Sequence, residues 1–328
     1  MAVREADGQA AEAARRAEAE PRVLVLRALG LGDLLTAVPA LRAIGRAFPD
    51  HAVTLAAPRA LAPLVDLIGG VSLLDHHELD TPLPHGAHHA RVAINLHGRG
   101  PRSHRRLTDT HPERLIAFAH PHVPRSREGP PWRPDEHEVH RWCRMIAAHG
   151  ISADPDDLAL RAPKRPVPED ASGATVLHPG AKDPARRWPI TRWAEVARTE
   201  RARGRTVLVT GGPDEQVIAR AVAERAELPP GAVLAGRTDL ADLAALVAAA
   251  GHVVCGDTGL AHLATALGTP SALLFGPVSP AEWGPPPDRP QHRVLWAGRR
   301  GDPHGRRPDA GLLAIQPADV LEQMEALP

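Results

Sequence analysis

The sequence predicts an α/β protein of two Rossmann-like, doubly wound parallel-sheet domains that face each other across a cleft. Short apolar runs alternate with segments of helical periodicity, which is typical of βαβ units. This alternation occurs in two series, one starting at Val23 and one at Ala174. Between them, residues 161–172 are Pro-rich and lack periodicity, as expected of a linker. Ligands of such sheets bind beyond the carboxyl ends of the strands, so functional residues are expected at the strand-to-helix turns.

The domain limits follow from the same pattern. Residues 21–160 form the predicted first domain, and residues 173–310 form the second. Residues 1–20 are charged and Ala-rich without an apolar core, so we expect a disordered leader rather than a signal peptide. Residues 311–328 contain an amphipathic helix, which we expect to pack back on the first domain.

Each series opens with a strand buried on both faces. Residues 23–29 (VLVLRAL) are apolar, and the helical pattern that follows contains Pro39, which should lie in its first turns or bend it. In the second series, amphipathic helices separate strands that we expect at residues 174–180, 206–212, 232–236, 252–258 and 271–276.

The composition excludes some classes of protein. Lys and Arg total 39, equal to Asp and Glu, so the chain lacks the basic excess that nucleic-acid binding requires. Cys143 and Cys255 form no motif, which favours a reduced, cytoplasmic setting. No apolar run approaches the roughly 20 residues that span a bilayer, so we expect a cytoplasmic protein whose membrane contact, if any, is peripheral and at the inner face.

The first motif is the turn Gly30-Leu31-Gly32-Asp33, directly after the first strand. Its glycines allow the backbone to approach a ligand, and its spacing resembles the start of a dinucleotide fingerprint. However, Leu35 occupies the third glycine position, and a carboxylate at Asp33 would repel a pyrophosphate. Asp33 therefore fits a base that faces an acceptor hydroxyl, with Gly30 and Gly32 on the acceptor side. A helix-capping carboxylate is an equal alternative.

The second motif spans residues 178–189 (HPGAKDPARRWP), after the first strand of the second series. Lys182 and Arg186 follow a glycine-containing turn, and cations beside exposed backbone amides suit a diphosphate. A solvated basic loop is the alternative.

The third motif is the segment from Cys255 to His262, where a buried strand runs into a helix start. Thr258 and the amides of Gly259 and Leu260 are placed to hold a phosphate at the helix N-terminus, next to Asp257. His262 lies one helical turn after Thr258, where it could contact the diphosphate or assist the leaving group. A capping Asp-Thr pair with a buried structural histidine is the alternative.

Two further turns are weaker candidates. Gly211 and Gly212 follow another predicted strand. A turn at this position often contacts a base or ribose, and an ordinary Gly-Gly turn is an equal alternative. The Arg-rich loop with His97, Arg99 and Arg102 would attract a negatively charged substrate, unless it is a flexible surface loop. No metal site is predicted, because the clustered histidines lack regular ligand spacing: His76, His77, His85, His88 and His89.

Taken together, the three motifs resemble glycosyltransferase family 9, the ADP-heptose:lipopolysaccharide heptosyltransferases and their relatives. Residues 23–50 are similar to that family's first strand, its Leu-Gly-Asp turn and the following helix. Residues 178–197 are similar to the start of its second domain, and residues 256–277 to its Asp-Thr-Gly-x-x-His signature. The likeness covers about residues 21–285.

The resemblance implies a GT-B fold and a metal-independent transfer that inverts the anomeric carbon. It also implies an ADP-sugar donor, with heptose as the sugar, and no bound cofactor. Asp33 matches the aspartate proposed to deprotonate the acceptor hydroxyl. Arg186 stands where the family commonly has a lysine that contacts the donor phosphates, and Lys182 lies too early to be its strict equivalent.

The remaining matches concern the donor. Thr258, Gly259 and His262 match the diphosphate-binding signature, which Asp257 begins. Glu215 matches an acidic residue near the ribose, which adds it to Gly211 and Gly212 as a nucleoside contact.

The acceptor and several rival functions stay open. Residues 98–140 do not resemble the lipopolysaccharide enzymes, so the acceptor is either a glycan or a small molecule such as a secondary metabolite. A sugar-nucleotide epimerase or hydrolase on the same scaffold is one rival, and a non-catalytic nucleotide-sugar-binding protein is another. An NAD-dependent oxidoreductase is disfavoured by Asp33 and Leu35.

Overall fold

A computed structural model describes residues 22–328, which form two compact α/β units. The first unit contains residues 22–29, Ala40–Trp132 and Trp142–Ala153. The second contains Gly30–Pro39, Arg133–Arg141 and Asp154–Pro328. The predicted leader, residues 1–20, lies outside the described residues.

The sheet of the first unit is parallel, with strand order β3-β2-β1-β4-β5. Its central strand is β1, which is buried because helices and loops cover both faces of a sheet wound in this way. The strands are β1 (Arg22–Leu26), β2 (Ala52–Ala57), β3 (Ser72–Asp75), β4 (Val92–Asn95) and β5 (Arg114–Ile116).

The sheet of the second unit is also parallel, with strand order β10-β9-β8-β6-β7. The central strands β8 and β9 are nearly continuous apolar runs, as expected of strands covered on both faces. The strands are β6 (Thr175–His178), β7 (Val207–Val209), β8 (His252–Gly256), β9 (Ser271–Phe275) and β10 (His292–Trp296).

The helices connect these strands and cover the sheets. Those up to residue 147 are α1 (Leu31–Thr36), α2 (Val38–Ala47), α3 (Ala62–Ile68), α4 (Arg102–Thr108) and α5 (Glu138–Ala147). The later ones are α6 (Ile190–Ala202), α7 (Gln216–Arg225), α8 (Leu240–Ala249), α9 (Gly259–Leu267), α10 (Pro280–Trp283), α11 (Ala310–Ala314) and α12 (Pro317–Glu325).

The helix predicted after β1 is divided into α1 and α2. Helix α1 ends at Thr36, Ala37 is its C-cap, and α2 begins at Val38. Pro39 therefore lies in the first turn of α2, where its missing N–H has no intrahelical partner to lose. The expectation that Pro39 marks a bend or a first turn is confirmed.

The predicted strand at residues 232–236 is wrong. Pro230–Ala232 forms a 3₁₀ turn, and pairing with the sheet is limited to one bridge between Val209 and Val233. Gly236 has a φ of +69°, which ends any extended run. Strand β10 occupies an edge of the sheet instead, and its sequence HRVLW is too polar to stand out as a buried strand.

The stretch predicted as a linker packs on the second unit. Leu160 N–H donates to the carbonyl of Ala266 at 2.8 Å, and Arg165 pairs with Asp239 at 3.1 Å and Asp242 at 2.7 Å. Because of such contacts, the second unit starts at Asp154 rather than after residues 161–172.

The C-terminal helix α12 packs in the second unit, whereas the sequence predicts packing on the first domain. Val320 and Met324 are fully buried and join the same core cluster as Trp193 and Leu274. Within residues 22–328, no helix is both long and apolar enough to cross a bilayer.

Replacing Met324 by Ala should lower the free energy of unfolding by about 2–5 kcal/mol, because it removes a buried side chain from the core of the second unit. The matched control is Glu322→Ala on the exposed face of the same helix, which should change it by less than about 0.5 kcal/mol. Urea unfolding of both variants makes the comparison, and equal losses would contradict this packing.

Candidate active site

Two helix starts lie against each other in the second unit. A Cβ atom added at Gly32 in α1 would lie 2.9 Å from His262 Cδ2 and 3.5 Å from Gly259 Cα. A Cβ atom added at Gly259 in α9 would lie 2.8 Å from Leu31 Cβ. Only glycine leaves room for this approach, so the first and third sequence motifs meet in one place.

Asp33 caps its own helix. Its Oδ2 accepts a hydrogen bond from the Gly30 backbone N–H at 3.3 Å, and its carbonyl accepts one from Thr36 Oγ1 at 3.0 Å. The capping alternative from the sequence is therefore present in the structure. An ionised carboxylate has about four lone-pair sites, so this hydrogen bond does not by itself prevent the carboxylate from accepting a proton. Capping and proton acceptance are compatible.

The start of α9 has no side-chain cap. Thr258 is the N-cap residue, but its hydroxyl makes no capping hydrogen bond. That oxygen is buried, and its described partner is the weak thiol of Cys255. The first amides of a helix have no intrahelical acceptors, so the α9 start offers N–H groups and a partial positive charge.

Arg186 and Asp257 join the second motif to the third. Arg186 Nη1 lies 3.1 Å from Asp257 Oδ2, and the Asp257 side chain is 7% exposed. Burial raises the pKa of Asp257, and the Arg186 guanidinium opposes that shift. Arg186 Nε is buried without a partner among the described residues, so this guanidinium has donors left for an anion.

The loop that carries Arg186 is fixed from within. Pro184–Arg186 forms a 3₁₀ turn, and Arg187 Nε donates to the carbonyl of Ala181 at 2.9 Å. Lys182 in the same loop has an exposed side chain. The sequence brings both cations to this loop, but the structure places only Arg186 against Asp257.

The nucleoside candidates meet at the carboxyl ends of β6 and β7. Glu215 Oε2 accepts a hydrogen bond from Gly212 N–H at 2.7 Å. A Cβ atom at Gly180 would lie 2.2 Å from Glu215 Cδ, and one at Gly211 would lie 3.0 Å from Glu215 Cβ. The carboxylate therefore lies directly over two glycine backbones.

Sequence reasoning does not select His178 and Thr210, which complete this cluster. His178 Nδ1 lies 3.1 Å from Thr210 Oγ1, and its Nε2 lies 3.7 Å from Glu215 Oε2. Burial lowers the pKa of His178, and the Glu215 carboxylate opposes the shift. The available signal was a histidine at the last position of a buried strand that leads into the second motif.

The predicted acceptor-side residues divide between the units. Gly30 and Gly32 lie in the second unit with Asp33, while His97, Arg99 and Arg102 lie in the first. The exposed Arg102 forms an ion pair with Asp80.

His97 lies beside a buried arginine that the sequence motifs do not include. Burial, reinforced by Arg27 and His76, lowers the pKa of His97 to about 4. Arg27 is fully buried after β1, where it donates to the carbonyl of Leu96 and lies 4.8 Å from the Trp142 ring centre. A lone arginine in an apolar run was the signal for this residue.

A cavity of about 900 Å³ in the second unit lies elsewhere. Its walls include His137, Pro286 and His292, and none of the predicted donor-site residues lines it. Within residues 22–328, no group of three or more His, Cys, Asp or Glu side chains is arranged to hold a metal ion. The site is therefore defined by its polar groups and not by cavity volume.

Two parallel, doubly wound sheets with helix starts at their carboxyl edges define the α/β class of this protein. A family model described as Glycosyltransferase family 9 (heptosyltransferase) matches residues 127–310. The chain therefore belongs to glycosyltransferase family 9, as its motifs predict.

Individual relatives agree with this membership. Lipooligosaccharide heptosyltransferase 2 of Haemophilus influenzae is 32% identical over 158 residues, which are 45% of this chain and 45% of that protein. The match thus spans less than half the length of that relative.

Solved structures establish the fold. A glycosyl transferase family 9 structure from Veillonella parvula has a TM-score of 0.75 at 20% identity and covers 93% of this chain and 96% of that one. The E. coli ADP-heptose lipopolysaccharide heptosyltransferase II has a TM-score of 0.72 at 22% identity, covering 93% and 98%. The predicted GT-B fold is confirmed.

Replacing Gly259 by Ala should lower the free energy of unfolding by about 1–3 kcal/mol, because its Cβ would overlap Leu31 and force α1 and α9 apart. The matched control is Gly231→Ala, where a Cβ meets no atom within 4 Å, and it should change by less than about 0.5 kcal/mol. Denaturant unfolding compares the two, and an unchanged Gly259→Ala variant would rule out the tight contact.

Proposed function

We propose that this protein transfers a sugar, heptose, from an ADP-sugar to a hydroxyl group of a glycan or small-molecule acceptor. The transfer inverts the anomeric carbon and uses neither a metal ion nor a bound cofactor. The observation that carries the proposal is the contact at Gly32, Gly259 and His262, which brings the helix that carries Asp33 against the uncapped start of α9. Family membership supplies the reaction class.

The donor diphosphate is assigned to the start of α9. Arg186, Thr258 and the amides of Gly259 and Leu260 are its proposed contacts, with Asp257 orienting Arg186 at 3.1 Å. Lys182 is a second cation for the same charge. Negative charge grows on the diphosphate as the glycosidic bond breaks, so fixed donors stabilise the transition state more than the ground state.

His262 is the further proposed diphosphate contact. Its ring packs edge-on against Trp283 with 5.8 Å between ring centres, which limits the positions that the imidazole can take. A fixed ring on the first turn after Gly259 suits a hydrogen bond to a phosphate oxygen or to the leaving group.

The nucleoside is assigned to Gly211, Gly212 and Glu215. A carboxylate accepts hydrogen bonds only, so Glu215 suits the two hydroxyl groups of a ribose. The ADP part of the assignment follows the name of the E. coli relative, an ADP-heptose heptosyltransferase.

Asp33 is the proposed base. It accepts the proton of the acceptor hydroxyl as that oxygen forms a bond to the anomeric carbon, and the electron pair of the broken bond leaves on the diphosphate. Attack from the face opposite the leaving group gives inversion. The hydrogen bond from Gly30 N–H orients the carboxylate.

The acceptor is assigned to the first unit. His97, Arg99 and Arg102 follow β4 and give this region positive charge, which suits an acceptor with acidic groups. We place the reaction in the cytoplasm, with peripheral contact to the inner membrane face when the acceptor is an envelope glycan.

ADP and ADP-sugars should stabilise the protein more than GDP, UDP or NAD in a thermal-shift panel. At 100 times its Kd, a ligand adds about 2.7 kcal/mol to the stability of the folded state. Arg186→Ala should weaken ADP binding by about 10- to 100-fold, because a charge-assisted contact to phosphate is lost. Stabilisation by NAD alone would overturn the proposed function.

The matched control for Arg186 is Arg201→Ala. Arg201 is exposed near the end of α6, which runs from the carboxyl edge of the sheet back towards its amino edge. Its removal should leave the Kd for ADP unchanged, and a similar loss in both variants would argue against a specific phosphate contact.

Asp33→Asn should lower ADP release from ADP-heptose by about 10²- to 10⁴-fold, with ADP affinity nearly unchanged. Asn keeps an oxygen that accepts from Gly30 N–H, so the helix cap survives while the base is lost. The assay compares release with and without a panel of hydroxyl acceptors. Full turnover in this variant would remove Asp33 from the mechanism, and acceptor-independent release in the wild type would favour a hydrolase.

A further inference from the structure

We propose that His178 is a positioning residue that holds the Glu215 carboxylate in place for a vicinal diol and thereby makes the site select ribonucleotides over 2′-deoxyribonucleotides. This inference rests on the nucleoside role proposed for Glu215. His178 does not touch the substrate in this scheme and acts through Glu215 alone.

The His178 ring is fixed by the neighbouring strand. His178 ends β6, and Thr210 follows β7, whose Val209 is paired with Leu177. The next position along each strand therefore places the two side chains side by side, with Nδ1 and Oγ1 3.1 Å apart. The His178 side chain is 13% exposed, so the surrounding atoms leave the ring little freedom.

The charge of Glu215 decides which ring nitrogen carries the proton. Burial lowers the pKa of His178, so at neutral pH the ring is neutral and has one N–H. A bare Nε2 would direct its lone pair at Glu215 Oε2 over 3.7 Å, which is repulsive. An Nε2–H group there is attracted instead. Nδ1 then accepts the hydroxyl hydrogen of Thr210 at 3.1 Å, in place of the Leu177 carbonyl, which lies 3.2 Å from the same oxygen.

Glu215 is held on several sides, and both carboxylate oxygens lie over the Gly180 backbone. Gly212 N–H donates to Oε2 at 2.7 Å, and the backbones of Gly180 and Gly211 lie against the carboxylate and its stem. No hydrogen bond to Oε1 comes from residues 22–328. The Nε2–H of His178 adds an attraction at Oε2, which limits rotation of the carboxylate.

A carboxylate fixed in this way discriminates between sugars. Two ribose hydroxyls can donate to it, whereas a 2′-deoxyribose donates once and leaves the second acceptor position unpaired. A site built to hydrogen-bond a hydroxyl rejects the analogue that lacks it. When the carboxylate is free to rotate, it finds water instead, and the discrimination falls.

A pair of substitutions separates the two ring nitrogens of His178. In His178→Gln the side-chain amide can place an N–H near the Nε2 position, while in His178→Asn the amide lies near Nδ1 and can bond only Thr210. Isothermal titration of ADP and 2′-deoxy-ADP gives the affinity ratio for each protein. We expect a wild-type ratio of about 10- to 100-fold, largely kept in His178→Gln and reduced to within about threefold in His178→Asn.

Each outcome has one meaning. A ratio kept in His178→Asn would overturn the proposal, because it would show that His178 matters only for holding Thr210. If the wild-type protein binds ADP and 2′-deoxy-ADP equally well, the positioning role is refuted while the proposed transferase function stands. A wild type that does not bind ADP would refute both.

A second variant covers a loss of folding in His178→Asn, which circular dichroism detects. Thr210→Val keeps Nε2 but frees the ring by removing the partner of Nδ1. The ratio should then fall by about threefold or more, and an unchanged ratio would overturn the proposal.

Discussion

The backbone contact between α1 and α9 is the constraint on which the site depends. Gly32 and Gly259 allow the two helix starts to lie so close that a methyl group on either residue would overlap the other helix. The two helix starts differ in their capping. The Asp33 carboxylate accepts a hydrogen bond from the backbone at the start of α1, whereas the Thr258 hydroxyl makes no capping hydrogen bond at the start of α9. One helix therefore supplies a fixed carboxylate, and the other supplies free amides and a positive dipole end for an anion. A capped helix start and an uncapped one thus lie against each other.

Hydrophobic periodicity was sufficient to predict both sheets, because buried parallel strands such as β8 and β9 are nearly uniform apolar runs. It failed where that signal is absent. Strand β10 mixes His and Arg with apolar residues at a sheet edge, and β5 is only three residues long. The strand predicted at 232–236 was lost to a Pro-rich turn, since proline removes the donor that a ladder needs.

The positions of the motif residues were predictable, because ligands of parallel sheets bind at the turns that follow the strands. Their grouping was not predictable, since it depends on contacts between distant parts of the chain. Asp33 joins the second unit through a glycine contact more than 200 residues away, which no local pattern encodes. His178 and Glu215 meet because β6 and β7 are neighbours, and Gly180 is needed only because a carboxylate lies over it. Such requirements follow from packing alone.

The interleaving of the two units along the chain limits how this protein can be divided or recombined. Residues 30–39 and 133–141 belong to the second unit, although both precede the Pro-rich stretch at 161–172. Cleavage within residues 161–172 would give an N-terminal fragment that keeps Leu34 and Leu35, both fully buried in the intact chain. That fragment would lack α9, against which α1 packs. Exchanging C-terminal halves between relatives would likewise separate Asp33 from the glycine against which its helix evolved. The natural module for exchange is the whole chain.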